Sequence, residues 1–378
     1  MSFRRFLIDY PAIGVVAVIV LLLIGLAQPG RDVAERRSSG ELLHDVTKRP
    51  PTVDRCNQCH ADLCESFAQT GHARTLHRGS SEDTFRHFAN QESHWPSGDA
   101  ALRFIKDGDQ VWLTRDGFTE RLPIEWLFGS GHHAQTPVAV MTNPAGATEL
   151  RQLSLTWYSS FGLAPTLGLD GQVPLHEGME SLGSWVETSR TVDCFGCHST
   201  FLPVDENQSV RLDQIIPGVT CARCHFDASR HVAENGAVGA FLEKWSRLTP
   251  LEAINRCGEC HRRADHTTPG ELEPNRTDII RFAPIGFSQS RCFTSQERAG
   301  SDSIRFTCTS CHDPHRPMNS NPEPYRQVCL KCHDTAAKIA PHCRVEDQQS
   351  NCLQCHMPTV ETDPHLKFTD HWIRVRSR

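Results

Sequence analysis

Residues 218–232 read GVTCARCHFDASRHV, and the five letters from Cys221 to His225 decide how the whole chain must be read. Two cysteines lie three positions apart and a histidine follows the second at once. The same Cys-x-x-Cys-His spacing occurs seven times: Cys56-Cys59-His60, Cys194-Cys197-His198, Cys221-Cys224-His225, Cys257-Cys260-His261, Cys308-Cys311-His312, Cys329-Cys332-His333 and Cys352-Cys355-His356. Thiols so spaced reach the two vinyl groups on one edge of a porphyrin as thioethers, and the adjacent imidazole is offered to the iron. A zinc ribbon needs paired cysteines but no histidine after every second one. A thioredoxin-type motif would occur once, beside a βαβ pattern. The spacing therefore predicts seven covalently attached haem c groups, with His60, His198, His225, His261, His312, His333 and His356 as proximal ligands.

Composition agrees with that reading. The chain has 378 residues with 17 cysteines and 21 histidines, too many of both for a reducing compartment unless they bind something. Hydrophobic residues make up 38%, and glycine and proline are frequent, so a conventional aliphatic core is expected to be thin. Porphyrins supply the missing apolar surface, which predicts a mainly α and irregular multihaem cytochrome c stack of short helices and long loops. A formal charge of -6 offers no basic stripe for nucleic acid. Most of the 39 basic residues are arginine, whose planar fork suits carboxylates such as haem propionates; a GC-rich genome would give the same bias.

Arg4 and Arg5 precede an apolar run from Ala12 to Ala27, the pattern of an export signal or signal anchor. We read residues 1–30 as a signal anchor or transmembrane helix and 31–54 as a linker. Residues 55–190 carry haem site 1 and a small mixed insertion, and 191–378 carry sites 2 to 7. This organisation puts the haem domain in the periplasm, or exports it free if the signal is cleaved. Between sites 1 and 2, the runs LRFIK (102–106), VWLTR (111–115) and RLPIEW (121–126) are separated by Asp-Gly turns. They predict a small β-meander, packed against the first haem.

From residue 55 to about 374 the phrasing resembles exported multihaem cytochromes of the cytochrome c-552/c-554 type. It is especially similar to planctomycete-style members with doubled CXXCH elements. The matching pieces include CNQCHADLCESFAQTGHA, WLFGSGHHAQT, DCFGCHSTF, RCGECHRR, FTCTSCHDPH, YRQVCLKCH, NCLQCHMP and HLKFTDHWIRV. Members of that group often carry tetratricopeptide repeats, and residues 1–378 contain none. The resemblance implies distal ligands at His72, His133, His231, His315, His365 and His371, with His266 as a weaker seventh. His315 lies only three residues past His312, so it is expected to ligate a neighbouring haem and tie two sites together. Met141 and Met318 are alternative axial thioethers, although core or surface roles are commoner for methionine. The resemblance also suits a disulfide between Cys292 and Cys343. It leaves Cys64 without a partner.

Two function classes remain. In the first, bis-His haems pass electrons between redox partner proteins, a membrane quinol-oxidising complex or another cytochrome. In the second, one haem with an open distal face reduces or oxidises a small nitrogen or sulfur species. Pentahaem nitrite reductases mark such a haem with Cys-x-x-Cys-Lys, which is absent. Hydroxylamine oxidoreductases cross-link one to tyrosine, and only Tyr10, Tyr158 and Tyr325 occur here. The carrier reading is preferred. No hydrolase triad, P-loop or dinucleotide fingerprint is present.

Overall fold

The computed structural model describes residues 49–375 apart from 94–100, 143–147, 170–177, 206–208, 227, 237–244, 274–275, 300–304 and 334–350. The apolar run at 12–27 lies outside the described residues. Among those described, no helix is long and apolar enough to cross a membrane.

The stretch between the first two motifs builds its own core. It contains β1 (Leu76–Arg78), β2 (Glu92–Ser93), β3 (Leu102–Asp107), β4 (Gln110–Arg115), β5 (Arg121–Pro123) and β6 (Trp126–Phe128). These are followed by β7 (Ala134–Thr142), β8 (Thr148–Leu153), β9 (Leu155–Tyr158), β10 (Gly162–Pro165) and β11 (Gly183–Val186). Strands β2-β3-β4-β5 form a four-stranded antiparallel meander. Its central hairpin pairs Asp107 with Gln110, and Gly108 takes a φ of 59° in the two-residue turn, a conformation that glycine adopts without a Cβ clash. The other strands form a seven-stranded sheet in which β7 pairs with β6, β8 and β9. The sequence-based expectation of one small meander thus covers only β2–β5, and a larger sheet accompanies it. The physical reason lies in the absence of haem sites over these residues: without porphyrin surface, this segment must bury its own side chains.

It does so thoroughly. Phe88, Val111, Leu113, Ile124, Leu127, Ala139, Leu153 and Leu155 have no exposed surface and belong to one cluster that includes residues of both sheets. Phe88 meets Phe104 edge to face at 5.0 Å, a favoured aromatic geometry. Alternation explains the burial: in β4, Val111 and Leu113 face inward while Trp112 and Thr114 lie at intermediate depth.

The motif-bearing helices behave differently. The helices are α1 (Val53–Asn57), α2 (Ala61–Ala68), α3 (Glu82–Phe88), α4 (Thr188–His198), α5 (Cys221–Cys224), α6 (Ala228–Ala233), α7 (Pro250–His261), α8 (Ala283–Ser288), α9 (Arg291–Ala299), α10 (Glu323–His333) and α11 (Cys352–His356), and motif residues lie in α1, α4, α5, α7, α10 and α11. Helices α1, α10 and α11, at sites 1, 6 and 7, bury none of their own side chains. Helices this short are marginal without a packed face, so protein side chains alone do not account for them. Helix α7 is better defined, opening on a capping box in which Thr249 and Glu252 satisfy each other's backbone N–H groups. A final hairpin, β12 (Thr359–Asp363) with β13 (Leu366–Thr369), follows the last motif.

Candidate haem-binding sites

Each motif is shaped by local backbone bonds. The N–H of His60 donates to the carbonyl of Cys56 at 2.9 Å, His225 to Cys221 at 2.9 Å and His312 to Cys308 at 3.0 Å. One turn therefore holds the first thiol and the imidazole at a fixed offset.

Tertiary structure then sets four motif histidines opposite histidines from other segments. Ring centres are 6.4 Å apart for His60 and His231, 6.0 Å for His72 and His261, 6.1 Å for His225 and His315, and 6.3 Å for His312 and His371. Direct ring stacking in this protein is much closer, 3.8 Å for His87 on Trp157. Two metal–imidazole bonds of about 2 Å on opposite sides of one ion put ring centres roughly 6 Å apart. The four pairs fit an iron between two imidazoles, and the residues present suit haem c at these sites. Interplanar angles span a wide range, from 7° at His225/His315 to 73° at His72/His261.

Burial keeps these rings in the form that binds metal. It pushes the imidazoles of His72, His198, His225, His312 and His371 below their usual titration range. His261 is pushed to about 4, by burial first and then by the neighbouring His72, His198 and His371. A neutral imidazole has the free lone pair that ligation needs. Backbone carbonyls orient several rings through Nδ1, leaving Nε2 to point away. His198 donates to the Thr75 carbonyl at 2.8 Å, with the Thr75 hydroxyl also at 2.7 Å. His371 donates to Thr369 at 2.9 Å and His356 to Arg374 at 3.2 Å. Metal-bound histidines are commonly held this way.

The clamp that positions His72 is built from the entry to motif 3. Val219 N–H donates to the His72 carbonyl and Gly218 N–H to the His198 carbonyl, both at 3.0 Å. Gly218 has a φ of 72°, and a Cβ there would stand 2.4 Å from the Ala73 carbonyl oxygen. Only glycine fits so close to that backbone.

The other expected distal residues are placed elsewhere. His365 stacks on Phe161 at 4.1 Å, His133 lies 4.8 Å from Phe368, and His266 approaches Asp265 at 3.8 Å. Among the described ring contacts none of the three faces a motif histidine, and His198 meets Phe128 at 5.2 Å. Cys343 lies outside the described residues, so its pairing with Cys292 has no structural counterpart here. Cys64 is buried beside Cys56 and Cys221. Sequence reasoning passed over two residues near the sites. Thr75 acts through its backbone as well as its hydroxyl and leaves little trace in a sequence. Arg223 stands inside a motif and was visible, although its burial was not.

The motifs also touch one another. Thiols of Cys56 and Cys221 are within hydrogen-bonding reach, as are Cys197 with Cys260 and Cys257 with Cys308. Sites 1 and 3, 2 and 4, and 4 and 5 are therefore neighbours.

Seven Cys-x-x-Cys-His motifs and four facing histidine pairs are features that a multihaem c-type cytochrome requires. Among solved structures, the chain is similar to the outer cell wall cytochrome OcwA, with a TM-score of 0.51 and 13% identity over 85% of this chain and 78% of that one. It is also similar to an undecahaem cytochrome from the S-layer of Carboxydothermus ferrireducens, at a TM-score of 0.45 and 14% identity, over 91% of this chain and 54% of that one. The likeness to OcwA is one of fold. No protein-family model and no curated protein sequence matches the chain.

Proposed function

We propose that the chain is a heptahaem electron carrier of the cytochrome c-552/c-554 type, tethered to the cytoplasmic membrane by its N-terminal segment with the haem domain on the periplasmic side. Its partners in this reading are redox proteins, a membrane quinol-oxidising complex or another cytochrome. Haem, when bound, supplies the one-electron chemistry. The protein's part is to hold, space and insulate the sites.

The observation that carries the reading is the set of four histidine pairs at 6.0–6.4 Å. Ligation from both faces leaves no coordination position for a substrate. It also ties one site to the segment that carries another. His231 follows motif 3 but faces His60 of motif 1, and His315 follows motif 5 but faces His225 of motif 3. Linked sites of this kind pass electrons among themselves without bond making.

The test is low-temperature EPR of the fully ferric protein, with and without nitrite or hydroxylamine. Low-spin signals alone, unmoved by either ligand, are expected. A high-spin signal that responds to a ligand would move the function to a reductase or oxidase, centred on site 2, 6 or 7.

A further inference from the structure

Arg223 is the third residue of the third motif, and it is 7% exposed. A buried guanidinium is costly unless an anion accompanies it. Among the described residues no carboxylate pairs with it. Of the acidic groups nearby, Glu259 is held by Arg256 at 3.2 Å, and Asp193 is exposed. Among the described residues, the Arg223 side chain makes a long donation from Nη2 to the Cys260 sulfur at 3.9 Å. Its charge also reaches the sulfurs of Cys197 and Cys224. Those three atoms are the second cysteines of motifs 4, 2 and 3. One buried cation therefore stands where three attachment sites converge.

On the haem reading above, each of these sulfurs is a thioether on the edge of a porphyrin. Adding one electron from a donor to any of the three sites adds one negative charge close to this cation. In a medium from which water is excluded, the attraction is screened weakly. Net charge around a haem is one of the protein's means of setting its potential. We propose that Arg223 raises the reduction potentials of the haems at sites 2, 3 and 4, making this junction the place where an electron in the chain comes to rest. Motif 6 also carries a cation at this position, Lys331, but it is exposed; the remaining motifs have neutral or acidic residues there, such as Gly258-Glu259 and Asn57-Gln58.

The experiment is a spectropotentiometric titration of the full chain, with haems counted by pyridine haemochrome and intact mass. Seven haems in the wild type are required by the underlying reading, and a different count would overturn that reading, not this one. Arg223→Gln with seven haems should shift up to three midpoints downward and leave the other four in place. An unchanged titration curve would overturn the proposal. Should Arg223→Gln fail to attach all seven, Arg223→Lys decides: midpoints held at wild-type values support the charge. A downward shift with the positive charge still present overturns it.

Discussion

His72→Ala is the substitution that most directly tests the cross-tied architecture. His72 faces His261 at 6.0 Å, with 188 residues between them in the chain. Removing the imidazole leaves site 4 with its own histidine and no second ring, so one of seven ferric haems should become high-spin. The tie also closes a loop. With the His60–His231 tie in place, the shortest closed path through residues 72 and 261 is roughly 40 residues, and closing such a loop is worth about 4 kcal/mol in the chain-entropy model. EPR should show one new high-spin signal with the remaining low-spin signals intact. The ferrous variant should bind carbon monoxide at one haem. The urea midpoint should fall by an amount that corresponds to no more than about 4 kcal/mol. His365→Ala is the control: that ring stacks on Phe161 at the surface, and its loss should leave the spin states alone. A His72→Ala protein whose haems all stay low-spin, with seven attached, would refute the pairing.

Three further outcomes are expected. Gly218→Val forces a β-branched residue to a φ of 72° against the Ala73 carbonyl, so folding should lose at least roughly 1–3 kcal/mol, the cost typical of such backbone strain, and the Tm should fall by several degrees. Its EPR should broaden first at site 4, because Val219 holds His72. Phe88→Ala empties a side chain with no exposed surface and should cost about 3–5 kcal/mol, while haem count and spin states remain those of the wild type. Asp83 is buried, which raises its pKa, but Arg74 at 2.9 Å together with His77 and Arg86 outweighs burial and holds the carboxyl below its usual range. A depressed folded pKa stabilises above the unfolded carboxylate value and is lost as pH falls through the folded one. Wild-type stability should therefore drop below about pH 4 more steeply than that of Asp83→Asn, as read by denaturation midpoints across pH 2–6.

Part of the site was legible in the chain and part was not. Motif spacing is a covalent requirement: two thioethers must meet one porphyrin edge while the adjacent imidazole reaches the iron, and only a fixed local sequence does that. The sixth ligands obey no such rule. His72 and His133 each stand just before an alanine, in TGHA and GSGHHA, yet the structure sets the first opposite His261 and the second against Phe368. The choice depends on the clamp at Gly218 and Val219, which lies far away in sequence. His315 shows the opposite case, since its closeness to His312 excluded its own haem and pointed to a neighbouring one. The β region was legible only where Asp-Gly turns punctuate it. From β7 to β10 no Asp-Gly pair occurs, and these strands were assembled by mutual burial around Leu127, Ala139 and Leu153.

By itself, then, the amino-acid sequence determined the seven Cys-x-x-Cys-His motifs and the haem c chemistry they point to, because these follow from residue types at short, covalently constrained spacings. Tertiary structure alone decided which histidine faces which, which motifs are neighbours and that Arg223 is buried. Those relations join residues from distant parts of the chain, and no local pattern encodes the geometry that packing and backbone hydrogen bonds impose.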